Sequence, residues 1–142
     1  TDSRKTYEYR IYNTGVQNPM KRYYALWDYH KLDVDKMKEA ATYLIGEHDF
    51  KRFCSVDTTV ESTVRTIYDL SVEKNGEDIT IRVCGNGFLY NMVRIIAGTL
   101  LEVGKGKIEP NEMKRILSAK DRQTAGPTAP AHGLTLVKYD FL

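Results

Sequence analysis

Residues 85–104 read Gly-Asn-Gly-Phe-Leu-Tyr-Asn-Met-Val-Arg-Ile-Ile-Ala-Gly-Thr-Leu-Leu-Glu-Val-Gly, a glycine-rich turn followed by a long apolar segment. The apolar segment predicts a buried helix, which ends at the Gly-Lys-Gly sequence that begins with Gly104. One permanent cation, Arg94, lies inside it between Val93 and Ile95. A guanidinium among residues that favour burial is costly unless a carboxylate or a phosphate contacts it. The sequence therefore predicts that Arg94 has an anionic partner.

Two kinds of partner are open for Arg94. One is an acidic residue of this chain in an ordinary ion pair. The other is a catalytic carboxylate or a phosphate held in fixed geometry, which the apolar neighbours on both sides favour. The turn before the helix does not match a dinucleotide-binding loop, because Tyr90 stands where the third glycine is needed, and no GxxxxGK[ST] sequence occurs. Its two glycines still allow a close approach of another chain or ligand, and a helix N-terminus there favours an anion.

The composition is that of one globular domain over residues 1–142. Twenty-one Lys and Arg against 19 Asp and Glu give a net charge of +2, which neither requires nor excludes a nucleic-acid partner. The two cysteines, Cys54 and Cys84, form no CxxC pair, and no His/Cys cluster has metal-ligand spacing. We therefore expect no metal and no disulfide framework. With no signal peptide or bilayer-spanning segment visible, we expect a cytoplasmic protein without a membrane partner.

The residue pattern predicts an α+β fold, with helices packed on a mostly antiparallel sheet. Alternation indicates a strand over residues 5–13, a hairpin of residues 64–72 with 79–83 joined by a type I′ turn at Asn75-Gly76, and a final strand over residues 134–139. Asp33 is a good N-cap for a helix over residues 34–45, and a short helix over residues 111–119 follows Pro110. The core face of the first helix is expected to hold Met37, Ala40, Ala41, Leu44 and Ile45.

The remaining segments are predicted to be connectors. Residues 20–30 mix aromatic and basic side chains without clear periodicity, which predicts an extended loop or an irregular strand. The mixture suits either a nucleic-acid platform or a surface packed under a neighbouring layer, and the latter is favoured. Residues 47–53 hold His48 beside Asp49, which could do acid–base chemistry but fits better a loop pair that satisfies its own backbone. Residues 121–132 are rich in Pro, Gly, Thr and Ala and predict a loop closely apposed to another part of the chain.

Five stretches in order resemble a known family. Residues 87–100, followed by Val103-Gly104, closely resemble the signature of the tRNA pseudouridine synthase A family. The other matching stretches are Lys-Thr-Tyr-Glu-Tyr at 5–9, Gly-Glu-His-Asp-Phe-Lys-Arg-Phe at 46–53, Thr-Val-Arg-Thr-Ile at 63–67, and Asp121-Arg122 with Thr-Ala-Pro-Ala-His-Gly-Leu at 128–134. The resemblance covers essentially the whole chain, and it implies the pseudouridine synthase fold.

The resemblance also implies a function. Members isomerise uridine to pseudouridine at positions 38 to 40 of the tRNA anticodon stem-loop, without cofactor or metal, and act as homodimers. By motif, Tyr7 is the tyrosine that stacks on the flipped-out base, Arg94 is the arginine paired with the catalytic aspartate, and Leu134 lines the base pocket. Six basic residues are candidates for phosphate contacts: Lys5, Lys21, Arg22, Lys51, Arg52 and Arg65.

The chain departs from the family pattern at one point. The family's nucleophilic aspartate lies in a Gly-Arg-Thr-Asp-x-Gly-Val-His motif, which this sequence lacks. Asp2 follows a threonine but is not followed by Gly-Val-His, so it is not expected to be the nucleophile. We therefore expect a C-terminal portion that lacks the N-terminal half and is inactive by itself. A non-catalytic tRNA- or RNA-binding module is the alternative, and a purely structural or dimerisation role is the weakest one.

Overall fold

The computed structural model describes residues 3–21, 23–55, 62–119 and 125–141. Within these ranges the chain forms six strands: β1 (Ser3–Asn13), β2 (Leu26–Asp28), β3 (Gly46–Asp49), β4 (Val64–Asn75), β5 (Asp78–Gly85) and β6 (Leu134–Phe141). Three α-helices accompany them: α1 (Val34–Thr42), α2 (Met92–Gly104) and α3 (Glu112–Ser118). Short 3₁₀ turns cover Pro19–Lys21, Lys51–Phe53 and Ala131–Gly133. The α+β fold with helices packed on a sheet is confirmed.

The strands form one mixed sheet in the order β2-β1-β5-β4-β3. Strand β1 pairs antiparallel with β5 over residues 5–12 on one side. Its other side is shared by β6, antiparallel over residues 3–9, and by β2, parallel over residues 11–13. The sheet is thus antiparallel except for the β1–β2 pair. The first residues of β1 and β4 and the last residues of β3 and β5 meet at one end of the sheet, which we call the site end.

One face of the sheet forms the core with the helices. Alternation along β1 and β5 turns Tyr9, Ile11, Ile79, Ile81 and Val83 inward, as period-two strands require. Strand β4 departs from this alternation, because two of its buried residues, Ile67 and Leu70, are three residues apart. The register slips between Ile67 and Asp69, so that one extra residue bulges out and both side chains stay in the core. Helix α2, the only α-helix of the described ranges that is buried on nearly every side, covers this face.

Helix α1 is shorter than predicted. Asp33 caps it as expected, because its carboxylate accepts a hydrogen bond from the Lys36 N–H at 3.1 Å. The helix ends at Thr42 rather than at residue 45, and Ile45 is exposed instead of facing the core. Gly46 has a φ of 109° and turns the chain directly into β3. The predicted connector over residues 47–53 is therefore partly a strand paired with β4, which the single-sequence pattern did not indicate because the strand has only four residues.

The hairpin is confirmed, but its turn differs from the predicted type. Asn75 pairs with Asp78, so the two loop residues are Gly76 and Glu77. Only Gly76 has a positive φ, at 65°, whereas a type I′ turn needs positive φ at both loop residues. A positive φ at the first loop residue only is the pattern that type II′ requires. The short helix α3 also starts later than predicted, at Glu112, and it buries Met113 and Ile116.

A polar cluster joins the far end of the sheet to the end of α2. The carboxylate of Asp28, in β2, accepts hydrogen bonds from the His30 N–H at 2.8 Å and the His30 ring at 2.7 Å. Lys105, just after α2, lies 3.4 Å from the other oxygen of Asp28. Burial raises the pKa of Asp28, but these hydrogen bonds and charges outweigh it and hold the pKa below its ordinary value. The cluster ties residues 28–30, part of the predicted irregular segment 20–30, to the core.

Candidate active site

Residues 125–130, which we call the strap, run across the first turns of α2. The Gly126 N–H donates to Thr99 Oγ1 at 2.9 Å, and the Ala129 N–H donates to the Arg94 carbonyl at 3.0 Å. The strap passes so close to the helix that a Cβ on Gly98 would lie 1.8 Å from the Pro127 carbonyl oxygen. The predicted apposition of this segment is thus confirmed for residues 126–130. Residues 121–124, including the motif residues Asp121 and Arg122, lie outside the described ranges.

The strap and the start of α2 hold Arg94. Its Nε donates to the Ala129 carbonyl at 2.7 Å, and its Nη1 donates to Asn91 Oδ1 at 3.1 Å. Among the described residues, no carboxylate lies within the 4.0 Å of an ion pair with Arg94, and Nη2 donates to none of their atoms. The N-terminus of α2 adds partial positive charge at the same place. The arginine is therefore held by neutral acceptors, with an edge left for an anion.

Tyr9 completes this side of the site. Its hydroxyl donates to the Pro130 carbonyl at 2.6 Å, and its ring lies under the chain at Gly133, where a Cβ would come within 2.7 Å of Cζ. Burial raises the pKa of Tyr9 well above its ordinary value, and the nearby charge of Arg94 offsets only part of that rise. Tyr9 therefore stays a neutral hydrogen-bond donor that fixes the strap against the sheet.

Tyr7 and Leu134 lie on the same face as Tyr9. Tyr7 is two residues before Tyr9 on β1, and its ring meets Phe88 edge to face at 5.4 Å between centroids. Leu134 is the residue of β6 paired directly with Tyr9. Both are partly buried against the core. The fold thus links Tyr7 and Leu134 to Arg94 through Tyr9 and the strap, although the three lie in different elements of the chain.

Sequence comparison bears on what this region does. Residues 40–141 match a family model described as tRNA pseudouridine synthase. The chain belongs to this family. Relatives named tRNA pseudouridine synthase A include proteins of Brevibacillus brevis, 56% identical over 93% of this chain, Bacillus pumilus, 54% identical over 96%, and Bacillus subtilis, 51% identical over 96%. The chain spans about half of the length of these relatives, between 54% and 56%.

The predicted phosphate-binding residues do not all lie near this region of the synthase domain. Lys5, Lys51, Arg52 and Arg65 lie at the site end of the sheet. Lys21 lies at the opposite end, where it pairs with Asp78 at 3.0 Å and stacks over a tyrosine ring. Arg22 lies outside the described residues.

The four basic residues at the site end are not equally available. Lys51 is exposed, and Lys5 lies 5.1 Å over the Tyr139 ring. Arg65 donates to two backbone carbonyls near its own position and borders Gly87. The Arg52 side chain is only 11% exposed, and its buried Nε has no hydrogen-bond partner among the residues that the structure describes. Lys5, Lys51 and Arg65 are thus better placed than Arg52 to reach a phosphate from solvent.

Other chemistry suggested by the sequence is not assembled. His48 Nε2 lies 2.9 Å from the Ile45 carbonyl, and Asp49 accepts hydrogen bonds from Thr63 Oγ1 and the Lys51 N–H. The Thr63 hydrogen bond is the main reason why the pKa of Asp49 lies below its ordinary value. His48 and Asp49 thus each contact a nearby backbone group, as expected, but they lie in β3 rather than in a loop. The described residues contain no group of three or more metal-ligating side chains, and none of their helices is long and apolar enough to cross a membrane.

Three residues of the site were not predicted. Asn91 contacts Arg94 directly, and Ser55 contacts Asn91. Tyr9 anchors the strap. The alternation along β1 placed Tyr9 in the core, but its hydroxyl partner is 121 residues away in sequence. Asn91 lies three residues before Arg94, a spacing at which side chains meet on a helix, and this is the one signal that was available.

Proposed function

We propose that this chain is the part of a tRNA pseudouridine synthase that carries the arginine, the tyrosine and the apolar wall of the active site. The substrate is uridine at positions 38 to 40 of the tRNA anticodon stem-loop. The observation that carries the proposal is the arrangement of Arg94, which two neutral acceptors hold while Nη2 donates to none of the described residues. An arginine fixed in this way is suited to a carboxylate supplied from elsewhere.

The nucleophilic aspartate is proposed to lie outside these 142 residues, in a segment that together with this chain forms what we call the complete subunit. In the reaction the bond between C1′ and N1 of uridine breaks and a bond between C1′ and C5 forms. The C5 hydrogen is released as a proton, and N1 gains a proton, so that the product is an isomer of the substrate. Arg94 orients the aspartate and stabilises its negative charge, Tyr7 stacks on the flipped base, and Leu134 excludes water beside it.

Release of tritium from tRNA labelled at C5 of uridine tests this proposal. The 142-residue chain alone is expected to release none above background, and the complete subunit is expected to release tritium. Arg94→Ala in the complete subunit is expected to abolish release, whereas Lys21→Ala, at the opposite end of the sheet, is expected to leave it unchanged. Release by the chain alone, or full activity of Arg94→Ala, would contradict the proposal.

A non-catalytic RNA-binding module is the second candidate, and the basic residues at the site end favour it. It predicts that the chain binds tRNA with an affinity that falls with salt, because each phosphate contact releases counterions. Both candidates allow such binding, so activity of the complete subunit separates them. A complete subunit that binds tRNA but releases no tritium supports the module.

The assembly and location follow from the enzyme proposal. We propose that the complete subunit works in the cytoplasm as a homodimer that holds one tRNA. Light scattering on the complete subunit measures its mass directly. A monomer at concentrations at which tRNA is modified would exclude the dimer.

A further inference from the structure

We propose that Asn91, supported by Ser55, is a positioning residue that sets the orientation of the Arg94 guanidinium. This inference rests on the proposed function, because it concerns the arginine of the same site. Asn91 is the only non-glycine residue in the described ranges with a positive φ, at 62° with a ψ of 10°. Asparagine tolerates this left-handed conformation better than most residues, but glycine adopts it without steric cost. The presence of a side chain here therefore needs a reason.

Helix capping is not that reason. Asn91 is the N-cap of α2, yet its side chain accepts no hydrogen bond from a backbone N–H in the first turn of the helix. The Met92 N–H instead donates to the Leu89 carbonyl at 3.0 Å. The usual contribution of asparagine at an N-cap is a side-chain oxygen bonded to a helix N–H, and that contribution is absent here.

Both ends of the Asn91 amide are used for other contacts. Its Oδ1 accepts from Arg94 Nη1 at 3.1 Å, and its Nδ2 donates to Ser55 Oγ at 2.9 Å. The Ser55 N–H in turn donates to the Tyr90 carbonyl at 3.1 Å. Because a guanidinium can only donate, the amide oxygen must face Arg94, and the amide nitrogen must then face the serine hydroxyl. The contacts therefore specify one orientation of the amide.

The consequence is a guanidinium held at two points. The Ala129 carbonyl accepts from Nε and Asn91 Oδ1 accepts from Nη1. These two hydrogen bonds fix the orientation of the guanidinium plane. Nη2 is then directed to one place, which is where the proposed aspartate must bind. Pre-organisation of this kind increases the rate of the chemical step more than it strengthens substrate binding. Asn91 does not itself touch the substrate in this proposal.

The kinetic test uses the complete subunit with Asn91→Gly, which keeps the backbone conformation available and removes only the amide. We expect kcat to fall about tenfold or more and KM to change by less than about twofold. Ser55→Ala, which removes the acceptor for the amide nitrogen, is expected to lower kcat by a smaller factor. Asn111→Gly is the matched control, because Asn111 is the N-cap of α3, is exposed and makes no side-chain cap. It is expected to leave both constants unchanged.

A second variant separates positioning from a general structural role. In an Arg94→Lys background the flat guanidinium is gone, so Asn91→Gly should cause no further loss of kcat. If Asn91→Gly lowers kcat by the same factor in the Arg94→Lys background as in the wild type, the inference is overturned. It is also overturned if kcat of Asn91→Gly stays within about twofold of the wild-type kcat while Arg94→Ala is inactive. A wild-type subunit without activity contradicts the proposed function instead.

A spectroscopic readout keeps the inference testable in that case. In the ¹H–¹⁵N correlation spectrum of the complete subunit, hindered rotation about the Cζ–Nη1 bond is expected to give separate signals for the two Nη1 protons of Arg94. The Arg94→Lys spectrum assigns these signals by their absence. Asn91→Gly is expected to merge them, and two signals that stay separate overturn the positioning role whether or not the subunit is active.

Discussion

Replacing Gly98 with alanine separates helix propensity from the contact between α2 and the strap. In an open helix this change stabilises the folded state by about 1 kcal/mol, because glycine is the poorer helix former. Here the new Cβ would lie 1.8 Å from the Pro127 carbonyl oxygen and 2.8 Å from its carbon. Ordinary contact begins near 3.4 Å, so the strap must retreat by about 1.6 Å. The obstacle is backbone, which cannot turn aside as a flexible side chain can.

The loss can be worked out from the contacts that hold the strap. Four hydrogen bonds depend on its present position, made by Gly126 with Thr99, by Ala129 twice with Arg94, and by Tyr9 with Pro130. At about 1 kcal/mol each they contribute about 4 kcal/mol. Subtracting the gain in helix propensity leaves a destabilisation of about 3 kcal/mol. Arg94 would also lose its Nε acceptor, so activity of the complete subunit should fall together with stability.

Urea unfolding of the 142-residue chain, followed by circular dichroism, measures the free energy of unfolding. Gly104→Ala is the matched control on the same helix. Its Cβ would come within 2.8 Å of Met37 Sδ, the flexible part of a methionine side chain that can shift. The control should lose less than half as much stability as Gly98→Ala. A Gly98→Ala chain that is as stable as the wild type, or more stable, would refute the reasoning from the strap.

Three further predictions concern other contacts. Tyr9→Phe removes the donor to Pro130 and should lower the free energy of unfolding by about 1 kcal/mol at neutral pH. An unchanged free energy of unfolding would contradict a stabilising role for this hydrogen bond. Because the folded-state pKa of Asp28 is lowered, its stabilisation is complete above the ordinary carboxyl pKa of 3.8 and is lost as pH falls through the lower folded value. Urea unfolding across this range should therefore show a weaker pH dependence in Asp28→Asn, and equal slopes would contradict the assignment. Filter binding to tRNA should show weaker affinity and a salt slope smaller by about 1 for Arg65→Ala, but no change for Lys21→Ala, whose amine is already paired at the far end of the sheet.

Several elements of the fold could be predicted because their signal is local. Alternation defined β1, β5 and β6, and the apolar run of residues 92–104 defined α2, since periodic burial follows directly from strand and helix geometry. The cap at Asp33 was equally local, because the carboxylate bonds a backbone N–H three residues away. The four-residue strand β3 was missed, since its pairing with β4 and not its own composition makes it a strand.

The site shows the same division between local signals and tertiary contacts. The sequence alone singled out Arg94, because a cation in an apolar helix is conspicuous in any fold, and its motifs pointed to Tyr7 and Leu134. Which groups hold Arg94 was decided only in three dimensions. Its Nε acceptor is 35 residues away in the strap, and the strap is fixed by Tyr9, 121 residues from its partner Pro130. Hydrogen bonds over such separations depend on how the helix and the strap pack on the sheet, which no local pattern of residues encodes.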